Sequence, residues 1–153
     1  MGAAPYSASL DSPVGRLWLS GSDAGISGIR FIRENPHTRC EDFFRPAVEQ
    51  LQAYFAGELR DFDLDLDLSG TEFQRSVWKR LSEIDYGEID HYGAIAEGLG
   101  RRRAARAVGA ACGANRIAIV IPCHRVLGSS GLTGYAGGLA AKQYLLRLEN
   151  EHC

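Results

Sequence analysis

The chain has 153 residues, 45% of them apolar and 24% charged, which fits a soluble globular protein long enough to bury a core without disulfide staples. Its longest uncharged apolar run, Ile117 to Pro122, is far too short to cross a bilayer, and the N-terminal stretch lacks a secretion pattern, so no membrane association and a cytoplasmic location are expected. The net charge of −2 conceals an asymmetry: residues 1–100 carry 9 basic and 17 acidic side chains, whereas 101–153 carry 8 basic and 2 acidic. A basic C-terminal part points to an anionic partner, with nucleic acid the first candidate and charge neutralisation between the two halves the alternative.

In chain order, Tyr6–Leu10, Arg16–Ser20 and Ile26–Ile32 are short β-leaning runs. Asp11-Ser12-Pro13-Val14-Gly15 and Gly21-Ser22-Asp23-Ala24-Gly25 separate them as turns, which predicts a three-stranded antiparallel meander. Phe44, Val48, Leu51 and Phe55 recur at helical spacing, so Phe43 to Phe55 is predicted helical, with Gly57 as its stop. Asp61 to Leu68 alternates acidic and apolar residues and reads as a strand with a solvated aspartate face rather than a metal site.

Thr71 and Gln74 form a capping-box signature ahead of Phe73, Val77, Trp78, Leu81 and Ile84, which share one helical face. Residues 92–100 and 101–111 read as two short helices joined by a glycine-containing turn, the helix-turn-helix pattern. The second is built of alanine, glycine and arginine. Small side chains allow close approach to a groove and arginines meet phosphates. Arg101-Arg102-Arg103 at its start would oppose the helix dipole, which favours a nucleic-acid contact over a packed helix face. Ile117–Ile121 reads as a buried strand, residues 127–138 as a glycine-rich loop and Leu139–Glu149 as a closing helix.

The chemistry concentrates in Ile121-Pro122-Cys123-His124-Arg125-Val126. A thiol is a nucleophile only as thiolate, and an adjacent cation or imidazole raises the thiolate fraction. Cys123 alone has such neighbours, while Cys40, Cys112 and Cys153 read as structural or incidental. The four cysteines are too irregular for a disulfide framework, and His37 with Cys40 offers too few ligands for structural zinc; His37 and His152 have no partner pattern. No phosphate-loop or dinucleotide fingerprint is present, and neither metal nor cofactor is expected.

These motifs closely resemble the O6-alkylguanine-DNA alkyltransferases across residues 71–149. The resemblance rests on Phe73-Gln74 with Val77-Trp78, Ala104-Ala105-Arg106-Ala107-Val108-Gly109, Asn115, Pro122-Cys123-His124-Arg125-Val126, and Gly134-Tyr135-Ala136-Gly137-Gly138-Leu139 followed by Lys142 and Glu149. Asp11-Ser12-Pro13-Val14-Gly15 and Leu51-Gln52-Ala53-Tyr54-Phe55-Ala56-Gly57 extend it more loosely into the N-terminal part.

It implies an α+β chain, with an N-terminal sheet-and-helix domain (1–68) and a mostly helical C-terminal domain (69–153) carrying a winged helix-turn-helix. It also implies single-use transfer of an alkyl group from O6-alkylguanine, and from O4-alkylthymine, to Cys123. The carried-over network is Cys123, a water, His124 and Glu149, with Tyr92 against the target phosphate and donating to the leaving base. Asn115 would stabilise the turn. Val126, Tyr135 and Ala136 would form the base pocket, with the carbonyls of Cys123 and Val126 reading the amino group. Arg106 would fill the gap left by a flipped base, with Ala104, Ala105, Ala107 and Gly109 against the minor groove of double-stranded DNA. A monomer is expected, with cooperative assembly on DNA left open.

The chain departs from the family pattern at His91, Arg101–Arg103, Arg116 and a loop between Gly131 and Gly134 that is one residue short. Three other readings are weaker. A lesion binder without chemistry has no use for Cys123. A cysteine hydrolase requires a separate oxyanion hole and does not account for the arginine–alanine helix. A plain helix-turn-helix regulator with a structural cysteine leaves the rest of the motif unexplained.

Overall fold

The computed structural model describes residues 6–32, 38–128, 131 and 134–153, which leaves His37 and part of the short loop after Gly131 outside the described residues. The chain divides into two compact units, residues 1–68 and 69–153.

In the first unit, β1 (Tyr6–Ser12), β2 (Gly15–Ser22) and β3 (Gly25–Phe31) form the predicted antiparallel meander in the order β1-β2-β3. Leu19 lies opposite Ala8 on β1 and Ile29 on β3, so the period-2 alternation buries Ala8, Leu17, Leu19 and Ile29. The predicted helix begins with a 3₁₀ turn (Glu41–Phe44) and continues as α1 (Arg45–Phe55). Ala47, Leu51 and Tyr54 form its buried face at helical spacing.

The acidic segment 61–68 is not the regular strand its alternation predicts. It runs beside β3 with one parallel bridge, Ile26 to Leu66, where Ile26 N donates to the Asp65 carbonyl (2.8 Å) and Asp67 N to the Ile26 carbonyl (2.7 Å). Farther along, the Gln50 amide takes both Asp63 backbone groups, at 2.8 and 2.9 Å, so a side chain replaces the ladder there. Gly25 permits the approach, because a Cβ at its φ of 137° would lie 2.5 Å from the Asp65 oxygen.

In the second unit, α2 (Glu72–Ser82) starts at the predicted capping box. Thr71 Oγ1 accepts from Gln74 N (3.1 Å), and Gln74 Oε1 accepts from Thr71 N (3.0 Å). Trp78 is buried and its Nε1 donates to the Ala111 carbonyl (2.8 Å), which ties α2 to the end of the second helix of the helix-turn-helix. That motif is α3 (Tyr92–Gly98) and α4 (Ala105–Gly113). Its three arginines are not the first turn of α4. Arg101–Arg103 sit in the connecting turn, closed by Arg101 N to the Ala96 carbonyl (2.9 Å), with the Arg101 guanidinium 5.2 Å from the centre of the Phe73 ring. This keeps their charges off the first turn of the helix, where they would oppose its dipole.

A short parallel ribbon, β4 (Asp90–His91) with β5 (Val126–Leu127), sets the start of α3 beside the cysteine motif, and α5 (Leu139–His152) closes the unit. The Ile117–Ile121 run is a buried turn rather than a strand. Val120 N bonds the Ala118 carbonyl (2.8 Å), Ile121 N bonds the Ile117 carbonyl (3.1 Å), and Ile119 takes a φ of 73°. The cause is Asn115. Its Oδ1 accepts from Ile117 N (3.0 Å) and its Nδ2 donates to the Ile121 carbonyl (2.9 Å), which bends the segment back on itself.

Candidate active site

Cys123 opens a single 3₁₀ turn, Cys123–Arg125, directly after the turn that Asn115 holds. Asn115 Nδ2 also donates to Cys123 Sγ at 3.3 Å. Cys123 is about 9% exposed, while His124 and Glu149 are buried at 0% and 1%. Below the thiol, His124 Nε2–H donates to Glu149 Oε2 at 2.6 Å. His124 Nδ1 has no protein partner among the described residues, so the neutral ring presents a lone pair there.

Burial pushes the Cys123 thiol up from its ordinary value, against the Asn115 hydrogen bond and the Lys142 charge, which favour thiolate. The resting group is therefore the thiol and needs a base, in contrast to the raised thiolate fraction expected from adjacent His124 and Arg125. Burial also pulls His124 down, outweighing the pull of Glu149, so the imidazole is neutral and able to accept a proton. Burial alone would raise Glu149, but its bonds and charge contacts with His124 and Arg125 overcome that and hold it at about 2. With His124 neutral, its hydrogen bond to Glu149 remains and the permanent charge of Arg125 adds to it at neutral pH.

The structure brings six of the thirteen expected residues around one cleft of about 410 Å³. Tyr92, Gly109, Asn115, Cys123, Tyr135 and Ala136 line it. Gly109 and Gly113 of α4 both face the cleft, and a Cβ on either would meet nothing within 4 Å. Arg106 and Ala107 are exposed one turn earlier, and Ala104 and Ala105 are half-buried. The Val126 side chain is fully buried in β5, where the residue pairs with Asp90, and it does not line the cleft, so the base-pocket role expected of this residue rests on its backbone carbonyl alone.

Several participants were not anticipated. Cys112, read as structural or incidental, is buried and also lines the same cleft, with its thiol pushed up to about 12, chiefly by burial. Lys142 is fully buried with its Nζ 6.0 Å from the Tyr92 ring centre, and burial lowers it while Cys123 and Cys112 pull it up. Arg125, read as support for the fold, bonds both Glu149 oxygens. His152 bonds the Leu148 carbonyl of its own helix (2.8 Å), and Cys40 and Cys153 are exposed. Among the described residues no group of three or more His, Cys, Asp or Glu could hold a metal.

This constellation has relatives along the whole chain. Residues 72–151 match the family model described as 6-O-methylguanine DNA methyltransferase, DNA binding domain, and residues 6–68 match its ribonuclease-like domain. The methylated-DNA--protein-cysteine methyltransferase of Mycolicibacterium paratuberculosis is 54% identical over 155 residues, covering 94% of this chain and 91% of the relative. The protein of the same name from Methanosarcina acetivorans is 50% identical, covering 94% and 97%. The crystal structure of Mycobacterium tuberculosis O6-methylguanine methyltransferase superposes with a TM-score of 0.89 at 48% identity, covering 97% and 94%. Mycobacterium tuberculosis OGT in complex with DNA superposes with a TM-score of 0.88 at 50% identity, covering 94% and 92%. With both units matched, the chain belongs to the 6-O-methylguanine DNA methyltransferase family.

Proposed function

We propose that this protein repairs DNA by direct reversal, moving a methyl or larger alkyl group from O6-alkylguanine, and from O4-alkylthymine, irreversibly onto Cys123. The carrying observation is the nucleophile's setting: a buried thiol bonded by Asn115 at the wall of a cleft, beside a neutral histidine fixed on Glu149 at 2.6 Å.

The geometry supports the roles that the resemblance implies. The Cys123 proton passes through one bridging water to His124 Nδ1, and the imidazolium formed is stabilised by Glu149. Asn115 donates to the thiolate, and the Lys142 charge favours the same anion. Sulfur then forms a bond to the alkyl carbon as the carbon–oxygen bond breaks, and that electron pair leaves with the base. Tyr92, on the cleft wall, supplies a proton to the leaving base. The product is a thioether that neither water nor thiol displaces, so each molecule acts once. Apart from the bridging water, the groups this displacement uses are side chains of the chain, and it calls for no cofactor.

The alkylated atom of a stacked base is out of reach of such a thiol, so the base must leave the helix. Arg106 is exposed on α4 one turn from Gly109 and fills the space the base vacates. Ala104, Ala105, Ala107 and Gly109 rest against the minor groove, with Tyr135 and Ala136 around the flipped base and the Val126 carbonyl reading its amino group. The protein acts as a monomer in the cytoplasm. Among the described residues no helix is long and apolar enough to cross a membrane.

Duplex DNA carrying labelled O6-methylguanine tests the reading. At most one labelled methyl per protein is expected, on the peptide containing Cys123. Turnover beyond one equivalent, or label retained by Cys123→Ala, would overturn it.

A further inference from the structure

We propose that Arg125 is a positioning residue for this transfer, clamping both oxygens of Glu149 and neutralising its charge so that His124 stays neutral with Nδ1 open to the Cys123 proton. The inference rests on the alkyl-transfer reading for its purpose, but its evidence is the geometry of the buried cluster.

Arg125 Nε donates to Glu149 Oε1 at 2.7 Å and Nη2 to Oε2 at 3.0 Å. Its third donor, Nη1, bonds the Ile84 carbonyl just beyond α2 at 2.6 Å, and the guanidinium lies 5.7 Å from the centre of the Tyr86 ring. Glu149 Oε1 also accepts from Gly87 N (3.3 Å) and Oε2 from His124 (2.6 Å). The carboxylate is thus held by four donors. A planar fork with a third anchor fixes its orientation in a way a lysine ammonium cannot reproduce.

The charges decide what the clamp does. The ionisable groups acting on His124 are Glu149 and Lys142 from α5 and Arg125 from its own turn, with Cys123 adjacent. A lone buried carboxylate 2.6 Å from an imidazole would draw a proton onto the pair and leave an imidazolium, which has no lone pair for the thiol proton. Arg125 sits on the same carboxylate and offsets that pull, while the carboxylate still accepts from Nε2–H and selects the tautomer that leaves Nδ1 free. Arg125 touches no reacting atom and acts wholly through Glu149 and His124.

The test reads the imidazole directly. The His124 ring resonances are titrated by NMR in the intact protein and in Arg125→Met and Arg125→Lys, and the alkyl-transfer rate is measured across the same pH range. In Arg125→Met the titration midpoint of the His124–Glu149 pair is expected to rise by about one pH unit or more, with the acid limb of the rate moving up equally. Arg125→Lys keeps the charge but loses the fork, so the midpoint returns close to that of the unmodified protein while the plateau rate stays about tenfold down. A rate loss uniform across pH with an unmoved midpoint would mark Arg125 as packing alone and overturn the inference. If Arg125→Met does not fold, an unimpaired plateau rate in Arg125→Lys overturns it as well. An unmodified protein with neutral His124 that transfers no alkyl group would sink the alkyl-transfer reading instead, since the clamp is read at the imidazole.

Discussion

Asn115 Nδ2 bonds Cys123 Sγ at 3.3 Å with the same amide that donates to the Ile121 carbonyl at 2.9 Å. One side chain therefore shapes the turn that presents the nucleophile and stabilises its anion. The two duties separate by substitution. Asn115→Ala removes both and leaves Ile117 N and the Ile121 carbonyl without their partner, which costs on the order of 2 kcal/mol of stability. Asn115→Asp keeps an acceptor for Ile117 N but sets a carboxylate beside the sulfur. Its melting temperature is expected to lie above that of Asn115→Ala, and its alkyl-transfer rate below. Equal rates in the two variants would show that the contact with the thiol has no part in the chemistry.

Acid stability follows from the same cluster. Glu149 is held at about 2, below the ordinary carboxylate range, because its bonds and contacts with His124 and Arg125 outweigh the opposing effect of burial. A depressed carboxylate contributes stability that is complete above its unfolded value and is lost as pH falls through the folded one. For Glu149 the window is about pH 4.5 to 2, and the loss is on the order of 3 kcal/mol. His124, lowered by burial, adds an earlier loss that starts as pH drops below about 6.5, where the unfolded imidazole begins to bind a proton. Denaturant titrations at stepped pH should show stability declining from near pH 6.5 downward. Glu149→Gln should remove the lower part of the pH dependence while lowering stability at neutral pH. An unfolding curve flat from pH 7 to 3 would contradict both assignments.

What was legible in the sequence was local. Thr71 and Gln74 are three residues apart, and the strands of the meander are joined by short turns, so pattern and turn chemistry sufficed for them. The Cys123–His124 adjacency announced the nucleophile, whereas the place of Glu149 came from the family resemblance. Arg125 could not be read in this way, because its partners lie 24 and 41 residues away in sequence and only the fold brings them together. A hint did exist: residues 101–153 hold only two acids, Glu149 and Glu151, so a buried cation there had few carboxylates to choose from. Ile117–Ile121 misled because a short apolar run rich in β-branched residues fits a buried strand, and the side chain of Asn115 decided otherwise.

Arg106 is exposed on α4, so its replacement should leave the cleft and the buried cluster intact. If it takes the space of the extruded base, Arg106→Ala is expected to slow repair of duplex DNA by about a hundredfold, the scale of an uncompensated unstacking of a few kcal/mol. Reaction with free O6-alkylguanine should change little, since no base has to leave a stack. Parallel single-turnover rates on the two substrates decide the point, and equal losses on both would remove Arg106 from base extrusion.

Gly109 offers the sharpest separation between folding and DNA contact. It lies in the interior of α4, where glycine is less favourable than alanine by about 1 kcal/mol. A Cβ there would meet nothing within 4 Å, so packing inside the chain gives no reason for the missing side chain. Gly109→Ala should therefore raise the melting temperature of the free protein. The same methyl would stand on the cleft-facing surface of α4 where the minor groove is proposed to lie, and duplex affinity should fall even though no charge is lost. Because no phosphate contact is removed, the slope of log affinity against log salt should stay that of the unmodified protein while the whole line shifts downward. A variant that is more stable and binds duplex DNA undiminished would place the groove elsewhere on the protein.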